Sequence, residues 1–196
     1  IETVNSVKNL IKDKVVEFRR SEFVGPTISS ELLFRGFQAV SFALIAILIY
    51  IWLRFEWQFG FGAVVALTHD VLFTLGLLSI LNVEFSLATI AAILTIAGYS
   101  INDTVVIFDR VRENLRKYKK LDLVDLFNLS VNNTLSRTIM TSLTTLLALV
   151  SLFIFGGEVI RPFALTMIIG VIIGTYSSVF IAVPTLLIFK FRPQDE

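Results

Sequence analysis

Residues 99–116 read YSINDTVVIFDRVRENLR, a stretch that predicts a helix with one carboxylate in apolar surroundings and a dense basic cluster at its end. Asp103 stands among aliphatic residues at membrane depth, where a carboxylate is costly and rarely faces lipid. Arg110, Arg112 and Arg116 follow where such a helix would reach the membrane surface. The stretch therefore predicts a membrane span that carries a functional acid.

The composition predicts an integral membrane protein. Apolar residues make up 55% of the 196 residues, the mean hydropathy is +0.80 and 18 residues are Phe, more than one small soluble core can hide. The lack of cysteine in the sequence excludes disulfides and thiolate metal sites, and a single histidine argues against a metal centre. The sequence has no phosphate-binding loop, dinucleotide fingerprint or nucleophilic triad, so we expect neither an enzyme nor a nucleic-acid-binding protein.

The apolar residues fall into five stretches that turn or charge signals separate. A bilayer core of about 30 Å requires about 20 mostly apolar residues per helix, and each stretch meets that length. We expect an all-α polytopic membrane protein, a transmembrane helical bundle over residues 32–190, with spans at about 32–53, 59–81, 86–109, 135–155 and 163–189. Residues 110–134 are expected to form a cytoplasmic interfacial segment, with an amphipathic helix over about 121–131.

Lysine and arginine residues concentrate in the loops on one side of this bundle, which predicts that this side is cytoplasmic. They are Arg54, Arg110, Arg112, Arg116, Lys117, Lys119, Lys120, Lys190 and Arg192. The tail 191–196 is then cytoplasmic, and residues 1–31 lie outside as a linker and the end of a periplasmic α+β domain. Five spans with an external first segment need either an upstream span or an unusual insertion. The simpler explanation is a longer protein with a first helix and most of that domain, which we expect.

Polar side chains of several spans reach a similar depth and predict a polar layer inside the membrane. Asp103 is expected to pair with Arg137, since the third and fourth spans run antiparallel across a cytoplasmic connection. His69 and Asp70 point about 100° apart on a helix, so they face different partners. The supporting residues of the layer are predicted to be His69, Asp70, Tyr99, Ser100, Asn102 and Thr104, with Tyr176, Ser177 and Ser178 extending it on the last span.

Each of these predictions has a structural alternative. Arg137 also fits a snorkelling anchor at the membrane interface, and Asp103 also fits a packing feature. Asp109, which lies beside basic residues, is better explained by a solvated ion pair. The spacing of Gly170 and Gly174 predicts close packing of the last span, although chance also produces such spacings.

An acid and an arginine at membrane depth can couple protonation to movement. Burial raises the proton affinity of a carboxyl group and a nearby arginine lowers it, so moving one partner changes the protonation of the other. If Asp103 takes a proton from outside, its attraction to Arg137 weakens, and release to the cytoplasm restores the pair. The membrane potential supplies about 2.3 kcal/mol per charge per 100 mV, which biases a two-state element but does not drive difficult chemistry. The residues therefore predict transport or mechanical work.

Four motifs resemble the SecF family of bacterial protein-export membrane subunits. They are GYSINDTVVIFDRVREN at 98–114, VGP at 24–26, ALTHD at 66–70 and TLSRTIMTS at 134–142. The motifs lie between residues 24 and 142, the match extends over nearly the whole chain, and its long motifs are specific.

The resemblance implies a member of the resistance-nodulation-division superfamily, with five of the family's six helices present. In that family the subunit forms a complex with SecD, associates with the SecYEG channel, has YidC as a further partner, and uses the proton motive force to promote preprotein translocation across the bacterial inner membrane. Asp103 and Arg137 match the family's residues for proton conduction. No cofactor is implied beyond the proton gradient itself.

Two other classes of protein stay open on the sequence. A proton-driven exporter of small molecules or lipids from the same superfamily would share the intramembrane acid but needs a large external substrate pocket. A scaffold that only holds partners would use Asp103 and Arg137 for packing. The scaffold alternative predicts that the nearly isosteric change Asp103→Asn is tolerated.

Overall fold

The computed structural model describes residues 26–83 and 86–189, which form six α-helices and one π-helical segment. The α-helices are α1 (Pro26–Arg54), α2 (Trp57–Ile80), α3 (Leu87–Lys117), α4 (Leu123–Phe155), α5 (Arg161–Ser177) and α6 (Val183–Ile188), and the π segment (Ser178–Ala182) joins α5 to α6. Within these ranges there is no strand, and five helical stretches have the length and composition of membrane spans. The predicted all-helical bundle with five spans is confirmed. The predicted external domain lies largely, and the tail 191–196 wholly, outside the described residues.

Local sequence signals set where the helices begin and where the chain turns. A capping box starts α3, because the Ser86 hydroxyl accepts the backbone N–H of Thr89 and the Thr89 hydroxyl accepts that of Ser86. The Asp122 carboxylate accepts the backbone N–H of Val124 and starts α4. Gly157 has a φ of 75° between α4 and α5, a conformation that glycine adopts without strain.

Two segments differ from the sequence prediction. Residues 26–31, predicted as a linker, form the first turns of α1, which has Pro26 at its first position, where the fixed φ of proline favours a helix. Residues 110–134 do not contain a separate interfacial helix, because α3 continues to Lys117 and α4 is continuous from Leu123. The apolar face of residues 121–131 packs inside the protein through Leu126 and Phe127.

Contacts within the chain divide it into residues 1–37 and 38–196. In the described part of the first unit, Arg35 and Glu31 form an exposed ion pair at 3.8 Å. In the second unit, α3 and the α5–α6 region are the most buried, with 44% and 56% of the residues in their apolar windows inside the protein, against 17% for α4. Several polar side chains of α3 and α5 lie inside the bundle, among them Ser100, Thr104 and Thr166.

Two apolar clusters position these central helices. One surrounds the edge-to-face rings of Phe59 and Phe108, whose centroids are 5.2 Å apart, and joins α2 and α3 to α6. The other packs Ile96 of α3 against Met167 and Val171 of α5. The polar layer lies between residues of these two clusters along α3.

Candidate functional site

Asp103 accepts hydrogen bonds from two other parts of the bundle. The Thr138 hydroxyl of α4 donates to Oδ1 of Asp103 at 2.6 Å, and the Ser178 hydroxyl of the π segment donates to Oδ2 at 2.7 Å. Thr138 and Ser178 are buried, and the two bonds connect three elements through one carboxyl group. A change in the charge of Asp103 therefore acts on α3, α4 and the last span together.

The hydroxyl groups around Asp103 can serve both protonation states of the acid. Ser178 has a second acceptor, since its hydroxyl lies 3.0 Å from the carbonyl oxygen of Thr175. A hydroxyl group has one proton to donate and two lone pairs to accept with. When Asp103 is ionised, the Ser178 hydroxyl donates a hydrogen bond to the carboxylate. When Asp103 is protonated, Ser178 can accept a hydrogen bond from the acid and donate one to the carbonyl oxygen of Thr175.

The structure does not bring Arg137 to Asp103. The residue beside it, Thr138, occupies the position facing the carboxylate, and successive residues of a helix point about 100° apart. Arg137 is exposed, and its guanidinium forms no ion pair with any acid in residues 31–83 and 86–189 for which side chains are described. Pairing of Asp103 with Arg137 stays a prediction.

A second carboxyl group, Asp70 of α2, lies fully inside the bundle with an exposed fraction of 0%. The Ser100 hydroxyl of α3 donates to Oδ2 of Asp70 at 2.5 Å. His69 Nδ1 lies 3.3 Å from the other oxygen, Oδ1, and the His69 side chain is 31% exposed. The sequence analysis expected His69 and Asp70 to face different partners because of their angular separation. In the structure the two side chains contact each other and form one polar group.

The remaining predicted residues of the polar layer have different environments. Thr104 is buried and donates to the carbonyl oxygen of Ser100 at 3.1 Å. Tyr99 packs against the Ile96 cluster, and its buried hydroxyl has no partner among the described residues. Asn102 is exposed on α3. Tyr99 and Asn102 are therefore not joined to either carboxyl group by a hydrogen bond within the described ranges.

Gly170 and Gly174 of α5 lie directly against α3. A Cβ added at Gly170 would be 2.1 Å from Cδ1 of Ile96, and one added at Gly174 would be 3.1 Å from Cβ of Ser100. Ile96 and Ser100 are one turn apart, as are the two glycines, so both helices meet along matching faces. Glycine at 174 leaves space for the Ser100 side chain that binds Asp70.

Sequence reasoning included most partners of the two acids in the predicted polar layer but did not single out Thr138. Thr138 stood among many hydroxyl residues of α4, and nothing in the sequence separated it from Thr141. Within residues 26–83 and 86–189, Thr141 bonds only to carbonyl oxygens of its own helix. Ser142 and Thr175 form a further hydroxyl contact at 2.7 Å between α4 and α5. The available signal was the spacing of Thr138 and Ser142, four residues apart on one helix face.

Comparisons with known proteins agree with this architecture. A family model described as "Protein export membrane protein SecD/SecF, C-terminal" matches residues 4–192. Protein translocase subunit SecF of Rickettsia rickettsii is 54% identical over 176 residues, 90% of this chain and 57% of that protein. The corresponding subunit of Cereibacter sphaeroides is 56% identical over 183 residues, 92% of this chain and 56% of that protein. The chain thus spans little more than half of the curated relatives it matches.

The fold is similar to solved structures with the same family name. The crystal structure of SecDF from Thermus thermophilus, a translocon-associated membrane protein, superposes with a TM-score of 0.86 and 43% identity over 96% of this chain and 26% of that one. SecDF in a form called super-membrane-facing gives a TM-score of 0.78 and 39% identity over the same shares. From the family match along its length and the shared fold, the chain belongs to the SecD/SecF C-terminal family of protein-export membrane proteins.

Proposed function

We propose that this chain is the membrane part of a proton-driven protein-export subunit. It works with a SecD partner and the SecYEG channel, with YidC as a further partner, and promotes preprotein translocation across the bacterial inner membrane. The names and structures of its relatives support this assignment. The observation that carries the mechanism is the single carboxyl group of Asp103, which hydrogen bonds to α4 and to the π segment.

In this proposal Asp103 is the proton carrier. Its two hydroxyl partners accommodate the charged and the neutral acid, as the second acceptor of Ser178 supports. A carboxylate at membrane depth without a cation is costly, so ionised Asp103 favours a state in which Arg137 faces it. Since Arg137 lies one residue from Thr138, a rotation of α4 by about 100° exchanges the hydroxyl for the guanidinium.

The two states give an alternating cycle. With Asp103 protonated, hydroxyl groups hold it and Arg137 stays on the outer face of α4. After the proton leaves, Arg137 replaces Thr138 and the helices repack. A potential of 100 mV supplies about 2.3 kcal/mol for each proton, which shifts such an equilibrium by about fiftyfold. The work is mechanical, and the chain forms or breaks no covalent bond.

The test uses the full-length subunit in complex with its partner and measures export of a secreted reporter under an imposed proton gradient. Asp103→Asn keeps the shape but cannot release a proton, so we expect the gradient-dependent part of export to be lost. Arg137→Ala is expected to lose it as well, because the ionised state has no cation. Asp109→Asn is the matched control, an acid on the same helix that is half exposed and paired with Arg54.

Complex assembly and membrane abundance are measured for every variant, so that loss of protein is not mistaken for loss of proton coupling. Gradient-dependent export that survives Asp103→Asn would contradict the proposal and leave Asp103 and Arg137 as packing residues. Equal losses in Asp103→Asn and Asp109→Asn would point to general damage of α3 instead of a proton site.

A further inference from the structure

Asp70 is a buried carboxyl group that the proposed proton cycle does not use. Its exposed fraction is 0%, and it lies near the middle of α2. No lysine or arginine occurs in residues 58–108 or 162–188, which include most of the helices packed against it. An ionised Asp70 therefore needs a positive charge from another source.

His69 is that source. Its Nδ1 lies 3.3 Å from Oδ1 of Asp70, and the imidazole can carry a proton that the carboxylate lacks. Neutral His69 with protonated Asp70, and charged His69 with ionised Asp70, hold the same single proton and the same net charge of zero. The two side chains thus form a couple that keeps one proton without leaving an uncompensated charge inside the bundle.

The two members of the couple differ in access. The His69 side chain is 31% exposed, whereas Asp70 is fully buried. The other carboxyl oxygen, Oδ2, receives the Ser100 hydroxyl at 2.5 Å. One side of the couple therefore reaches the surface of the bundle, and the other side reaches α3.

Ser100 places the couple one helical turn from Asp103. Residues three apart on a helix share a face, at about 5–6 Å between their Cβ atoms. A serine hydroxyl can accept a proton on its oxygen while giving up its own, so the number of protons on Ser100 does not change during transfer. Gly174 leaves room for Ser100, since a Cβ there would lie 3.3 Å from Oγ of Ser100.

Few other titratable groups occur in residues 87–108, 135–155 and 161–188, the apolar parts of α3, α4 and the α5–α6 region. From α3 they are Tyr99, whose buried hydroxyl has no partner in the described ranges, and Asp103. From α4 there is Arg137, which is exposed, and from α5 through α6 there are Arg161 at the first position and exposed Tyr176. None of them makes a hydrogen bond or ion pair with Asp70 among the described residues.

We propose that His69 and Asp70 form a second proton-binding site, which holds one proton and exchanges it with Asp103 through Ser100. This inference rests on the proposed function for its transport role, whereas proton binding at Asp70 does not. His69 and Asp70 hold the proton between them, and the Ser100 hydroxyl passes it towards α3.

The first experiment is infrared difference spectroscopy of the full-length subunit with its partner in lipid, recorded between neighbouring pH values. We expect a pH-dependent C=O band of a protonated carboxyl group that is lost in Asp70→Asn and retained in Asp103→Asn. His69→Gln removes the second proton position and, among the described residues, the only compensating charge, so we expect the pH-dependent change of that band to be lost. A band that is unchanged in Asp70→Asn, or a titration that is unchanged in His69→Gln, would overturn the proposal.

The second experiment measures gradient-dependent export in hydroxyl variants. Ser100→Ala breaks the link to Asp103, and we expect about a tenfold loss or more. Thr74→Val is the matched control, because the Thr74 hydroxyl is buried one turn from Asp70 and has no partner among the described residues. Normal export in Ser100→Ala, or equal losses in both variants, would refute transfer through Ser100. The infrared result stands whether or not Asp103→Asn abolishes export, so failure of this site and failure of the proposed function can be distinguished.

Discussion

Gly170→Ala tests whether the contact between α3 and α5 is as close as the structure has it. The added Cβ would lie 2.1, 2.3 and 2.8 Å from Cδ1, Cγ1 and Cγ2 of Ile96, all far inside van der Waals contact. Ile96 is 1% exposed and packed against Met167 and Val171, so it has little room to move away. Overpacking of this kind costs about 1–3 kcal/mol.

The gain from replacing a helical glycine offsets part of that cost. Alanine stabilises a helix interior by about 0.5–1 kcal/mol relative to glycine. Gly76→Ala is the matched control on α2, because a Cβ there meets nothing within 4 Å and only the gain remains. We expect Gly170→Ala to be less stable than Gly76→Ala by about 2 kcal/mol, about thirtyfold in the folding equilibrium.

The assay is equilibrium unfolding of the full-length subunit in mixed detergent micelles, followed by circular dichroism at increasing denaturant. A third variant identifies the cause, since Ile96→Ala removes all three atoms that would clash with the new Cβ. We expect Gly170→Ala to cost nothing further in the Ile96→Ala background, a coupling of about 1–3 kcal/mol. A Gly170→Ala protein as stable as Gly76→Ala, or the same cost in both backgrounds, would refute the reasoning.

Two further predictions concern polar contacts at the end of α3, and the same unfolding assay checks both. Asn114→Ala removes a buried amide that donates to the Ser130 hydroxyl at 2.8 Å, so we expect a loss of about 1–3 kcal/mol, and a neutral result would show that the bond contributes nothing. Arg54→Gln breaks an ion pair with Asp109 at 3.3 Å in which both side chains are about half exposed, so we expect a change within about 1 kcal/mol, and a larger loss would mean that water does not screen this pair.

The sequence was sufficient for the number of spans and for the position of the intramembrane acids. Apolar stretches of membrane length are a one-dimensional signal, and a carboxylate within one of them is conspicuous without any knowledge of packing. Asp70 and Asp103 were both identified in this way. Ser178 was also expected in the polar layer, and the structure joins it to Asp103 from a different span.

The partners of these acids depend on how each helix is rotated about its axis, which a single sequence does not determine. Arg137 and Thr138 are adjacent, and a difference of about 100° decides which of them faces Asp103. The charge favoured Arg137, whereas the structure places Thr138 there. Asp109 similarly has basic neighbours in sequence, yet its partner is Arg54 at the end of α1.

The predicted interfacial helix failed for a related reason. Amphipathic spacing shows that one face is apolar but does not show whether lipid or protein covers it. In the structure Leu126 and Phe127 pack with Val111 and Leu115 on the extension of α3. Protein therefore covers that face, and the segment from Leu123 is continuous with the rest of α4.

The π segment between α5 and α6 makes the length of the last span a constrained property of the chain. A π turn accommodates one extra residue within a helix, so removing a residue from Ser178–Ala182 would restore a regular helix with the following side chains turned by about 100°. Ser178 could then keep its hydrogen bond to Asp103 only if Val183 and Leu186 turned out of the apolar cluster. That part of the span packs closely on α2, since the Ala182 carbonyl oxygen lies 3.1 Å from the position of a Cβ at Gly62. A single-residue deletion in this span would therefore disrupt either the bond from Ser178 to Asp103 or the packing of Val183 and Leu186. We therefore expect the span to be conserved in length even where its aliphatic residues vary.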